Sequence, residues 1–366
     1  MQREARWTDV STGKVVHVVG CVTDEVFSFL GPATNALART GVDQKVVMID
    51  ELRFRHHVLS LHESAELMLI PRLRNPVKQW RAVLQGCRRA LQGGPLRTIH
   101  LHGLLPCLVG AIAVRSIGPK VPIFYSPHGS RSLGQLRALG ALMLWLFRPV
   151  LQPSRHAAIV NVPQETMALD QWKSVELVES PVDDAFFERP RNEARHPLLV
   201  TGGRGQGARN AELFAQLAVL LSGADLHISF NWIGTVDPVS QVRLKAANVG
   251  VFERTSDDEC AQRLAAGWIY VAPGGTRGFP LFLVEAMAAG LPCVAMDSAQ
   301  HREVIRNGET GFLCRTERDM IACIATLIDN PSLRARIGQA AREEAKPRFG
   351  RSKFNTRLLA AYALPQ

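Results

Sequence analysis

Short apolar runs alternate with stretches of helical periodicity along almost the whole chain. Residues 14–19, KVVHVV, form an apolar run between polar neighbours and predict a buried strand. From Phe27 to Thr40, Ala, Leu and Phe recur at every third or fourth position, which predicts a helix that Gly41 stops. QKVVMI (44–49), TIHLHG (98–103) and VPIFYSPHGS (121–130) read as further strands, the last ending in a glycine loop. The segment from Pro76 to Gln92 reads as a helix. The apolar run 138–147 predicts another helix, AAIVNV (157–162) a strand and MALDQW (167–172) a helical piece. Strands alternating with helices at this spacing imply a parallel sheet covered on both faces.

The pattern breaks at 180–197, which is rich in Pro and charge and holds only Phe186 and Phe187 as large apolar residues, so it reads as a linker. It then restarts. LLVTG leads into a loop carrying Gly202, Gly203, Gly205 and Gly207 with Arg204 and Arg209 set among them. Glycines let backbone approach an anion, and two guanidinium groups can grip phosphate oxygens. The loop is neither a Walker loop nor a dinucleotide fingerprint, because the lysine of the first and the spacing of the second are missing. HISFNWIG (227–234) predicts a strand, and 254–267 a helix opened by Ser256 and Glu259 in capping-box spacing.

The most informative stretch runs from Val271 to Cys314. GGTRGFP is a glycine loop feeding an apolar helix, LFLVEAMAA, which Gly290 and Pro292 end before the strand PCVAM. A helix start fed by such a loop leaves backbone N–H groups unpaired and suits phosphate. Glu285 is the one acid in that helix. It either lies on a solvent edge or has a partner, since burying a lone carboxylate is costly. The C-terminal residues 331–366 are helical in pattern.

At 366 residues the chain is long enough for two cores. The net charge of +10 changes the picture because it is concentrated: residues 51–155 hold 15 Lys and Arg against 3 acids. That block is either a footprint for an anionic partner, nucleic acid or an anionic membrane surface, or a merely solvated basic face. No nucleic-acid motif accompanies it, so nucleic acid is not expected. No run reaches the roughly 20 apolar residues of a membrane span, and the opening residues lack an apolar signal-peptide core. Seven scattered cysteines show neither metal-ligand spacing nor an even disulfide count, which favours a reducing cytoplasm. His100 and His102 share one face of a strand, but no third ligand stands near them in sequence, so no metal is expected.

Residues 271–314, together with the loop 198–210, resemble the signature of the group 1 family of retaining, nucleotide-sugar-dependent glycosyltransferases. That family carries a Glu, then Gly-Phe-Gly/Pro-Leu, a second Glu eight positions after the first, and Ala-Met-Ala-x-Gly-x-Pro-Val. This chain has Gly278, Phe279, Pro280, Leu281, Glu285, AMAAG, Pro292 and NGETGFL, with Arg277 in place of the first acid. The resemblance implies that Glu285 binds ribose hydroxyls and that the amides from Gly278 to Leu281 face the diphosphate and sugar. Arg204 and Arg209 would stabilise the leaving diphosphate, Arg209 taking the place of the family's Lys. His128 resembles the family's strand-end His that faces the donor sugar. Gly203, His102 and Glu303 are further candidate cleft residues. Arg277 can only donate hydrogen bonds. It therefore points to a donor with an acidic group, such as a uronic acid nucleotide, or it turns to solvent or to the diphosphate while the sugar is read elsewhere.

The expected fold is α/β, two Rossmann-like domains facing each other across a cleft in the GT-B arrangement, with a C-terminal helix crossing back to the first. The boundaries expected are 1–183 for the N-terminal domain, 184–197 for the linker, 198–345 for the nucleotide-sugar domain and 346–366 for the returning helix. The expected activity is transfer of a sugar from a nucleotide-diphosphate sugar to a glycan or lipid-linked acceptor with retained configuration, in cell-surface polysaccharide or glycolipid synthesis. Neither cofactor nor metal is expected. The location expected is cytoplasmic, peripheral on the inner face of the membrane. The alternative is a non-catalytic or regulatory sugar-nucleotide-binding protein.

Overall fold

The computed structural model describes residues 13–20, 22–52, 58–103, 121–126, 128, 156–160, 175–203, 207–223, 227–254, 256–275 and 279–363. The chain divides into two compact units, Met1–Ser180 with Phe354–Gln366, and Pro181–Lys353. The helices expected at 138–147 and 167–172 lie outside the described residues.

In the first unit the order is β1 (Lys14–Val19), α1 (Asp24–Ala38), β2 (Gln44–Ile49), β3 (Ala65–Ile70), α2 (Pro76–Leu91), β4 (Leu96–His102), β5 (Ile123–Ser126), β6 (His156–Val160) and β7 (Val175–Leu177). All seven strands pair in parallel, in the spatial order β3-β2-β1-β4-β5-β6-β7. β1 is buried along its whole length, which is why its sequence is apolar without alternation. Thr23 caps α1 by accepting from the Val26 amide, and Gly41, at φ 69, turns the chain after it. Asn75 caps α2 from two amides, with Pro76 at its first turn where no N–H is needed.

The second unit opens with α3 (Asp184–Glu188), then β8 (Leu198–Gly202), α4 (Gly207–Ser222), β9 (Ser229–Ile233), α5 (Pro238–Ala246), β10 (Val249–Phe252), α6 (Asp257–Ala266) and β11 (Ile269–Ala272). It continues through α7 (Leu281–Ala288), β12 (Cys293–Met296), α8 (Ala299–Arg302), β13 (Gly311–Cys314), α9 (Glu317–Asp329) and α10 (Pro331–Phe349). Its sheet is also all parallel, in the order β10-β9-β8-β11-β12-β13. Both units are thus doubly wound, Rossmann-like sheets. The core of the second gathers Phe214, Phe230, Trp232 and Ile269 with Met320, Ile324 and Leu327.

The stretch read as a linker is a packed part of the second unit. Phe186 and Phe187 are buried on α3, Arg342 donates to the Phe187 carbonyl, and Asn192 and Ala194 donate backbone bonds to the end of α6. Two adjacent aromatics give this short segment enough apolar surface to hold it down. After Gly350, α11 (Arg351–Ala361) carries the chain into the first unit: Phe354, Leu358, Leu359 and Tyr362 pack with Val15, Phe29, Leu37 and Phe124. Among the described residues no helix is long and apolar enough to cross a membrane.

Candidate functional site

Open parallel sheets bind ligands beyond the carboxyl ends of their strands, where the strand order reverses. In the second unit that point lies between β8 and β11. β8 runs out through Gly202 and Gly203, β9 through Gly234, and β11 into Gly274 and Gly275. At Gly202 and Gly274 a side chain would not fit. A Cβ on Gly202 would stand 2.1 Å from the Ile233 carbonyl oxygen and 2.6 Å from the Phe282 ring, and one on Gly274 would stand 2.2 Å from Asn210 Oδ1. Gly234, at φ 126, packs against the Gly203 carbonyl. The floor of the site is therefore bare backbone, as close approach to a phosphate requires.

Two helices begin beside this floor. α4 starts at Gly207 with Arg209, exposed, and Asn210 in its first turn. α7 starts at Leu281 behind the buried Phe279 and Pro280, and no side chain caps its N-terminus. Both present amides and the positive end of a helix dipole to an anion.

Glu285 does not lie on a solvent edge. α7 is buried all round, Glu285 itself is only 3% exposed, and both its oxygens are gripped by one guanidinium. Arg254, just past β10, donates from Nη1 to Glu285 Oε2 at 2.6 Å and from Nη2 to Oε1 at 2.9 Å. Arg254 is buried as well, between the rings of Phe186 and Phe282, and also pairs with Asp257. Burial works against its charge, but Glu285 and then Cys260 and Asp257 hold it well above the ordinary arginine range. A bidentate grip uses one lone pair on each carboxylate oxygen and leaves others for a diol. Nothing in the spacing of 254 and 285 betrayed this pair. The signal was the lone acid on an apolar helix, which needed a cation.

The first unit has its own reversal point, between β1 and β4, and it is filled with imidazoles. His17 on β1 is in register with His100 on β4, and Ser126 on β5 with His102, so all four side chains share a face of the sheet. His17 Nδ1 lies 3.0 Å from His102 Nε2, and His102 Nδ1 lies 2.8 Å from His128 Nε2. His100 bonds through Nε2 to Ser126 Oγ at 2.8 Å and through Nδ1 to the hydroxyl of Tyr362, from the C-terminal tail. All four histidines are buried, and burial drives the pKa of His17 and His128 down to about 3. His100 and His102 are also lowered well below the ordinary value, by burial first and by the neighbouring imidazoles next. His17, His100 and His102 offer ring nitrogens within 4.8 Å of one another. The expectation that no third ligand stands beside the pair is thereby corrected: β1 supplies it by strand pairing, which sequence distance hides.

Of the residues singled out by sequence, Gly203, Phe279, Pro280, Leu281 and Glu285 come together around the end of β8 and the start of α7, with Arg209 on α4. His102 and His128 meet in the first unit. Glu303 follows α8, where its carbonyl accepts from Arg348. Arg204, Arg277 and Gly278 lie outside the described residues.

Residues 238–344 match the family model described as Glycosyl transferases group 1. A sulfoquinovosyl transferase of Arabidopsis thaliana is 35% identical over 160 residues, which is 42% of this chain but only 31% of that protein's length. An N-acetyl-α-D-glucosaminyl L-malate synthase of Bacillus anthracis is 23% identical over 288 residues, 73% of this chain and 74% of that one. An Anabaena protein solved in complex with UDP-glucose has the same fold, with a TM-score of 0.73 at 15% identity over 96% of this chain and 99% of that one. Residues 238–344, which hold the signature of 271–314, thus match the group 1 glycosyl transferases.

Proposed function

We propose that the protein transfers a sugar from a nucleotide-diphosphate sugar to a glycan or lipid-linked acceptor, with retention of anomeric configuration. The observation that carries this reading is the side-chain-free floor at the β8–β11 reversal, flanked by two helix N-termini and set partly within the family match. The diphosphate sits there, Glu285 accepts the ribose hydroxyls, and Arg204 and Arg209 with the loop amides take up charge as the diphosphate leaves. These cations do the work that a metal does elsewhere, so none is invoked. His128 faces the sugar. A role in making a cell-surface polysaccharide or glycolipid at the inner face of the membrane completes the reading.

The test is a calorimetric panel of UDP, GDP and ADP sugars, followed by transfer assays. Loss of a charge-assisted contact costs roughly 1.5–3 kcal/mol. Arg209→Ala should therefore bind the preferred nucleotide about ten- to a hundred-fold more weakly while staying folded. Unchanged affinity would sink the diphosphate assignment, and binding without any transfer would favour a regulatory binder. The panel should pair a neutral UDP-hexose with an acidic one. Glu285 is already neutralised by Arg254, and Arg277 replaces the other acid, so the site favours a donor with an additional negative charge. A preference for the neutral hexose would reject that refinement alone.

An anionic membrane is the proposed docking partner of the first unit. α2 displays Val77 and Trp80, with Leu73 preceding the helix, beside Lys78, Arg81, Arg88 and Arg89. An amphipathic basic helix with an exposed aromatic lies in a membrane interface. Co-sedimentation with vesicles containing phosphatidylserine should be strong at about 0.1 M salt and largely lost at about 1 M, where the Debye length falls to about 3 Å. Equal binding to neutral vesicles would refute it.

A further inference from the structure

The histidines of the first unit exceed what one strand-end sugar contact needs. Four of them, drawn from β1, β4 and the end of β5, lie in one buried cluster with Phe29, Phe124 and Tyr362. A neutral imidazole carries one N–H and one bare nitrogen. His102 has an imidazole nitrogen at hydrogen-bond distance from each of its own, so its single proton goes one way and it must accept from the other. The two links therefore share one direction. In one sense His102 Nδ1–H donates to His128 Nε2, His17 Nδ1–H donates to His102 Nε2, and His17 Nε2 is left as a bare lone pair. In the opposite sense His17 Nε2 carries an N–H. That atom is buried and has no hydrogen-bond partner among the described residues. We take the first sense, in which that buried atom is a bare lone pair and not an N–H without an acceptor, and the spectra described below distinguish the two.

We infer that His17, His102 and His128 form a one-way column of neutral imidazoles in which His102 is a positioning residue, fixing His128 as the uncharged tautomer protonated on Nδ1. A second observation concerns the backbone of His128: it sits at φ 50, in the left-handed region that non-glycine residues seldom adopt. His100 flanks the column rather than joining it. Its ring packs 4.1 Å from that of His102, and Ser126 and Tyr362 occupy its two nitrogens. Tyr362 thus makes the C-terminal tail part of the cluster. In this arrangement His128 cannot serve as a base through Nε2, because that nitrogen accepts from His102. It is a neutral donor through Nδ1. That this donor is directed at a sugar rests on the function proposed above; the tautomer itself does not.

The experiment reads the tautomer without reference to activity. Full-length protein labelled with 15N-histidine is followed by long-range 1H–15N spectra from pH 6 to 8, with His128→Gln assigning the resonances of His128. Wild type should show His128 in one neutral form, protonated on Nδ1, and unchanged over that range. His102→Asn retains an N–H near the Nδ1 position and should keep that form. His102→Leu should release it, so that His128 populates both tautomers or titrates nearer to the ordinary value of about 6.5. Should His102→Leu fail to fold, His17→Phe replaces it, and there the expected change is loss of the fixed tautomer at His102. Wild-type His128 protonated on Nε2, wild-type His128 titrating near its ordinary value, or a spectrum indifferent to the variant that folds would overturn the column. So would about one equivalent of zinc in the purified protein with metal-shifted resonances for His17, His100 and His102, because a three-histidine metal site would then explain the cluster.

Discussion

Acidification from pH 7.5 to pH 5 is expected to unfold the first unit well before the second. His17 and His128 titrate at about 3 in the folded protein, and His100 and His102 are also lowered well below the ordinary value. In the unfolded chain all four return to about 6.5. Above that pH neither state binds the protons, and the fold has its full stability. Below it the unfolded state takes up as many as four protons that the folded state refuses. Stability then falls by about 1.4 kcal/mol per proton per pH unit, until the pH approaches the folded values. His17 and His128 thus lose about 2 kcal/mol each between pH 7.5 and pH 5, and His100 and His102 act in the same direction. Set against a typical domain stability of about 5–15 kcal/mol, that is a large loss. The groups are fully buried, so solvent does not screen the effect. Among the described residues of the second unit, only one histidine, His301, is similarly depressed, by burial. Hydrogen exchange across pH 7.5 to 5 should therefore show the amides of β1 and β4 losing protection while those of β8 and β11 keep theirs. Loss of protection in parallel, or none in the first unit, would contradict the buried neutral cluster.

That cluster also shows where the sequence was and was not legible. The period of the apolar pattern marks β1, α1, β2 and β4, because a strand buried on both faces and a helix with one apolar stripe leave different spacings. His17 was visible only as a polar interruption in KVVHVV. Its meaning depends on β1 lying beside β4, a pairing made by a crossover of about eighty residues, and on Tyr362 arriving from the far end of the chain. Pairwise distance in sequence carries no trace of either. The linker reading failed for a different reason. Pro and charge dominate 180–197 by count, yet two phenylalanines decide its fate by area. In the second unit the glycines were legible because bare backbone is a local requirement. The partner of Glu285 was not, because an arginine beside a helix cap looks like an ordinary surface residue.

Arg254→Met is expected to destabilise the second unit by about 3–5 kcal/mol, since it strands a buried carboxylate. Glu285→Leu should cost a similar amount by stranding the guanidinium. Of its carboxylate partners Arg254 would keep Asp257, which is substantially exposed and a weak substitute. The informative variant is the double one. Replacing both charges by apolar side chains of similar volume removes two desolvation penalties along with the attraction, and such exchanges are often neutral or stabilising. Arg254→Met with Glu285→Leu should therefore regain most of the loss, with a coupling energy of several kcal/mol measured by denaturant unfolding. Nucleotide binding should not follow stability. If Glu285 receives the ribose diol, the refolded double variant binds UDP weakly and no longer distinguishes it from a 2′,3′-dideoxy analogue, which the wild type should bind at least about ten-fold less tightly. Additive losses in the cycle would mean that the pair is not a closed, desolvated unit. A stable double variant that still prefers the intact ribose would place recognition of the diol on other groups and leave Glu285 as a structural partner of Arg254.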